Sequence, residues 1–170
     1  MKNRLNTLCL SLGLIFLGVT PTQAEEQQAL ASFKAMKPAL ALQLAQATLT
    51  ACREAGYQVA VAVVDRSGIT QVILRDQLAG GHTPETARRK AWTAASFRTD
   101  TQVMMEETQA GKVQSGVRFV REAMMVAGGI PVLAAGSLIG AVGVSGAPGG
   151  GQDHKCAQAG IDAIEEDLMF

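Results

Sequence analysis

Aromatic side chains are scarce in this chain: one Trp, one Tyr and five Phe among 170 residues. So little ring area leaves few platforms on which nucleobases could stack. Neither sign of charge dominates, with 15 basic and 15 acidic residues. Phosphate backbones and anionic membrane surfaces are held by a cationic excess, and this chain has none. Neither nucleic acid nor membrane is expected as a partner. Histidines number two, His82 and His154, without a His-x-x-His, His-Glu-x-x-His or carboxylate triad around them. That excludes the usual zinc-enzyme patterns. Ser67 and Ser145 lack a Gly-x-Ser-x-Gly elbow, so serine hydrolase chemistry has no support. No internal repeat is visible, and a chain of this length can bury one ordinary core.

Export is legible at the start. Lys2 and Arg4 form a positive n-region, and residues 8–19 are an uncharged apolar run. Thr20-Pro21 break that run, and Thr22 and Ala24 put small residues at the −3 and −1 positions before Glu25-Glu26. These three parts make a cleaved secretory signal, and the run is shorter than the roughly 20 residues of a membrane span. Cys9 lies inside the run rather than at the cleavage point, so lipidation is not indicated. Residues 1–24 are thus expected to be removed, leaving a periplasmic or secreted chain with 13 basic and 15 acidic residues, a net charge of −2. Cys52 and Cys156 then remain, an even count in an oxidising compartment, without metal-site or Cys-x-x-Cys spacing.

Residues 25–37 read as a flexible lead-in, and residues 38–170 as one domain. Pro38 opens a helix in which Leu40, Leu44, Ala47 and Ala51 recur at helical spacing, and Gly56 ends it. Residues 57–65 and 69–75 are strands joined by a tight turn at Arg66-Ser67-Gly68. After a loop at 77–82, Thr83-Pro84-Glu85 reads as N-cap, first helical residue and first-turn acid of a helix running to Phe97. A short helix is expected over 101–109. Residues 117–126 fit neither period. Strands at 130–134 and 138–145 flank a turn at Gly136, and a glycine-rich loop at 146–151 leads into a final helix with Asp153 as N-cap. This order predicts an α+β domain with helices packed on an antiparallel sheet.

Four blocks carry a family resemblance: Val63-Val64-Asp65-Arg66-Ser67-Gly68, residues 86–94, Gly128-Gly129-Ile130-Pro131-Val132, and residues 140–146 continuing through Gln152-Asp153-His154 to Gly160. In order and spacing they resemble the GlcG/HbpS family, and also the C-terminal domain of PduO-type proteins. The resemblance implies a profilin-like fold with a five-stranded antiparallel sheet flanked by helices. It implies a homo-oligomer, a tetramer or octamer. Some exported members bind haem and are linked to haem degradation or redox sensing. In a profilin-like fold the first and last helices share a sheet face, which would bring Cys52 and Cys156 together as one disulfide.

Against that background each candidate residue has two readings. His82 sits on the glycine-containing loop before a helix, as a haem-iron ligand or as a residue packing back on the helix start. Arg88, Arg89 and Lys90 follow within two turns and could pair with carboxylates such as haem propionates, Arg88 or Arg89 foremost. His154, in the first turn of the last helix, is a second candidate ligand or a surface histidine. Met104-Met105 and Met124-Met125 read as core or interface filler. The glycines at 146–151 could admit an anion to backbone N–H groups or simply make the turn into the helix. The expected function is binding of a small molecule, haem or a related tetrapyrrole. The alternatives are an enzyme acting on a small metabolite or cofactor at a subunit-interface pocket, and a ligand-free oligomeric accessory protein.

Overall fold

The computed structural model describes residues 29–169. The expected signal segment, and the lead-in as far as residue 28, lie outside the described residues. From Ser32 onward the chain forms one unit. Its order is α1 (Pro38–Glu54), β1 (Ala60–Asp65), β2 (Thr70–Arg75), α2 (Thr83–Phe97), α3 (Thr101–Glu107), a 3₁₀ turn (Ser115–Phe119), β3 (Gly129–Ala134), β4 (Ser137–Ser145), α4 (Gly150–Asp162) and α5 (Glu165–Leu168).

The sheet is antiparallel throughout, with the order β2-β1-β4-β3. It has four strands, not the five of the profilin-like sheet that the resemblance implied. The stretch at 117–126, which fitted neither period, adds no strand because its backbone polar groups go to side chains of α2. Arg89 donates to the carbonyls of Arg121, Glu122 and Ala123, and Met124 N–H donates to Thr93 Oγ1 at 2.8 Å. A backbone pinned in that way has no row of free groups to offer an edge strand.

Strand periodicity gives the sheet two unlike faces. Val59, Val61, Val63, Val142, Val144, Ile130 and Val132 point one way and form the main core with Leu44, Ala45 and Leu49 of α1 and Ala157 of α4. The other face is made of small residues: Ala60, Ala62 and Ala141 meet Ala87, Ala91, Ala94 and Ala95 of α2. Two glycines let the helix backbone lie directly on this face. A Cβ on Gly143 would fall 2.1 Å from Ala87 O, and one on Gly129 2.3 Å from Lys90 O. The three layers are α1/α4, sheet, α2.

The pairing of β1 with β4 sets Ala60 opposite Ser145, so the end of α1 and the start of α4 arrive at the same end of the sheet. There Cys52 and Cys156 form a disulfide, with Cα atoms 5.2 Å apart across a sequence separation of 104. Closing a loop of that size is worth on the order of 4–5 kcal/mol in the chain-entropy account. Two helix boundaries differ from the sequence expectation. His82, not Thr83, is the N-cap of α2, and α4 starts at Gly150, with Asp153 already inside its first turn. The carboxylate of Asp153 has a better use than capping, described next.

Candidate functional site

At the end of the sheet where β4 runs out, four segments surround a cleft of about 550 Å³. Gly56–Gln58 approach from the end of α1, and Leu78–Gly80 from the loop after β2. His82, Thr83, Thr86 and Lys90 come from α2, while Ser145 to Gly150 and Asp153 come from the glycine-rich loop and the start of α4. The volume is that of ordinary small-molecule and cofactor sites, roughly 300–1,000 Å³. Gly146 makes the corner: its φ is +134°, and a Cβ there would meet Gln58 O at 2.7 Å. Only glycine lets these two loops touch.

The floor of the cleft holds a buried ion pair. Lys90 is 1% exposed and Asp153 is 4% exposed. Lys90 Nζ donates to Asp153 Oδ2 at 2.8 Å and to Val144 O at 2.9 Å. Asp153 Oδ1 accepts from Ala147 N–H at 3.0 Å, so the carboxylate holds the glycine-rich loop against the sheet. Burial pushes the Lys90 ammonium down from its ordinary pKa, with the Asp153 charge opposing, and pushes the Asp153 carboxyl up, with Lys90 opposing. Gly128 makes room for the pair, since a Cβ there would sit 2.7 Å from Asp153 Cβ and 3.1 Å from Lys90 Nζ.

His82 stands at the mouth, solvent-exposed, its imidazole folded over Gly80 so closely that a Cβ on Gly80 would lie 2.8 Å from the ring. Thr83 and Thr86 hydroxyls donate to the carbonyls of Gly80 and His82, fixing the backbone on either side of it. Among the described residues the imidazole has no hydrogen-bond partner. Leu78 (77% exposed) and Val126 (40%) complete the rim with apolar surface.

A family description, haem degrading protein HbpS-like, matches residues 36–162. The chain belongs to the HbpS-like family. It is similar to a crystal structure of HbpS, with 34% identity and a TM-score of 0.75 over 80% of this chain and 94% of that one. A crystal structure of a PduOC–haem complex matches with 29% identity and a TM-score of 0.72, covering 77% of this chain and 96% of that one. An uncharacterised 15.0 kDa protein of Citrobacter freundii, from the dhaT-dhaS intergenic region, is 32% identical over 130 residues, 75% of this chain and 91% of its own length.

In this HbpS-like chain the residues singled out from sequence are dispersed. His82 lines the cleft; Arg88, Arg89 and His154 do not. Arg88 forms ion pairs with Glu85 at 2.8 Å and Glu122 at 2.6 Å, and it holds both carboxyls below their ordinary range. Arg89 is taken up by the three carbonyls of 121–123. His154 Nδ1 lies 3.3 Å from Asp100 Oδ2, close enough for an ion pair but out of line for a hydrogen bond. The sequence reading missed Lys90 by grouping it with its two arginine neighbours. The signal was available, because Lys90 shares the helical face of Ala87, Ala91 and Ala94, which is the buried one. Nothing in the sequence pointed to Asp153 as its partner, 63 residues away.

Proposed function

We propose that this HbpS-like chain is an exported small-ligand-binding protein that takes haem or a related tetrapyrrole in the cleft at His82. The observation that carries the reading is the His82 imidazole, set on a cleft wall with no hydrogen-bond partner among the described residues. Its surroundings fit such a ligand: the rim offers exposed Leu78 and Val126 to an apolar ring, and the volume is sufficient. Haem bound there would supply an iron centre, and His82 is the side chain that would hold it. Arg88 and Arg89, already committed to carboxylates and carbonyls, are not available to a propionate without breaking those bonds. The relative solved with haem supports the ligand class, and the disulfide suits an oxidising compartment.

The test is a haemin titration of the mature chain, whose intact mass is expected to begin at Glu25, followed by the Soret band. A saturating, sharpened band is expected in the wild type and in His154→Ala. His82→Ala should shift the band and weaken binding by at least about tenfold, the loss of one good interaction. An unaltered spectrum and affinity in His82→Ala would remove His82 as the ligand, and the absence of a saturable band in the wild type would remove the tetrapyrrole.

A further inference from the structure

Hydrogen-bond accounting in the cleft leaves a group of donors without acceptors. The Lys90 ammonium carries three N–H donors, of which Asp153 and Val144 O take two. Ser145 is 6% exposed, lines the cleft, and its hydroxyl makes no hydrogen bond to any described residue. The backbone N–H groups of Gly149 and Gly150 at the start of α4 are likewise unpaired among the described residues, as the first N–H groups of a helix are. All four residues line the same cleft. The Ser145 hydroxyl and the half-buried N–H groups of Gly149 and Gly150 open onto the cleft, where they are free to donate to a ligand. An oxyanion is the kind of ligand that such a set of donors in one cleft would take.

Among the residues that line the cleft Asp153 is the single acid, and it would repel an anion if its charge were uncompensated. It is compensated: one oxygen faces the Lys90 ammonium and the other the Ala147 N–H. What remains for a ligand is a surface of donors at the positive end of a 13-residue helix. Beyond it the cleft continues along aliphatic walls, with Leu78, Ala79, Val126 and Pro148.

We infer that Lys90, Ser145 and the N–H groups of Gly149 and Gly150 form an oxyanion subsite that receives the carboxylate of an otherwise apolar ligand. The inference rests on the reading of this cleft as the ligand site, and it assigns the carboxylate to Lys90 and Ser145 rather than to Arg88 or Arg89. It requires a carboxylic acid, and a tetrapyrrole is only one acid of that kind.

Sodium benzoate, with neutral benzamide as control, tests the subsite without haem. In the ¹⁵N-labelled chain, benzoate should move the amide signals of Ser145, Gly149 and Gly150 saturably, and benzamide should not. Ser145→Ala, which removes one hydroxyl and adds nothing, should weaken benzoate about tenfold, the loss of one hydrogen bond to a charged group. Lys90→Met/Asp153→Asn, which removes both charges together, should abolish the shifts. If the double variant does not fold, Ser145→Ala decides by itself. Equal binding of benzamide, shifts confined to other residues, or wild-type affinity in Ser145→Ala would overturn the subsite. The haemin titration reads the other question separately. Benzoate binding without a Soret response leaves the subsite and removes the tetrapyrrole; a Soret response with no benzoate shift does the reverse.

Discussion

Lys90 and Asp153 show how much one residue's setting can matter. Withdrawing an ammonium and a carboxylate from water costs several kcal/mol each, and their attraction returns it only when further bonds complete the site. Here those bonds come from Val144 O and Ala147 N–H. Lys90→Met should therefore lower stability by about 3–5 kcal/mol, because it leaves Asp153 buried and unpaired, while Lys90→Met/Asp153→Asn should recover most of the loss. Urea unfolding of the two variants checks this, and equal losses in both would contradict it. The single variant should also respond to pH in a stated direction. Burial already raises the Asp153 carboxyl above its ordinary value of 3.8, and removing Lys90 removes the charge that opposed this. The native state then binds a proton at higher pH than the unfolded state does. The stability of Lys90→Met should rise as pH falls through that raised value, and the gain should be complete near the unfolded value.

At the scale of elements, the contact between α2 and the sheet depends on the absence of side chains. Gly143 faces backbone atoms of Ala87 and Ala91, which cannot give way as the end of a flexible side chain could. Gly143→Ala should cost about 1–3 kcal/mol through overpacking, and it should move α2, with Lys90 and His82, away from the cleft. Gly151, in the first turn of α4, has no atom within 4 Å of a built Cβ. Gly151→Ala should be neutral or stabilising by about 0.5–1 kcal/mol, since alanine loses less freedom in a helix. Thermal melts of this pair separate steric from entropic use of glycine, and similar melting points for both would refute the distinction. From the sequence the hairpin, α1 and β4 were legible, because valine-rich alternation and helical spacing are local signals. The two helix starts at 82–83 and 150 were not, because Asp153 resembles an N-cap until the tertiary fold brings Lys90 to it.

For the whole molecule, the stretch from Ala123 to Leu138 carries no charged side chain, a composition that association could hide. Much of it is in fact inside the domain: Ala123, Met125, Ala127, Ile130, Val132 and Ala134 are all buried, while Val126 and Leu133 are exposed. Apolar surface remains elsewhere. Ile69 and Ile73, along the hairpin and its edge strand β2, are 65% and 42% exposed. An edge strand with such neighbours is ordinarily covered. Light scattering at micromolar concentration should therefore give a mass above that of one chain. A monomer would contradict both this argument and the assembly that the family resemblance implies.

The sequence by itself determined the order of elements, the antiparallel α+β class and the family, because these rest on periodicity, turn residues and blocks of neighbours along the chain. The place of His82, on a glycine-containing loop at a helix start, was also within its reach. Three things were decided only by the tertiary structure. The sheet stops at four strands because side chains of α2 occupy the backbone of 121–124. Cys52 meets Cys156 because β1 pairs with β4. Lys90 turns from a surface cation into the floor of a cleft because the glycine and alanine face of the sheet draws α2 down onto it. Each of these depends on groups far apart in sequence, and no local pattern encodes a partner that only packing supplies.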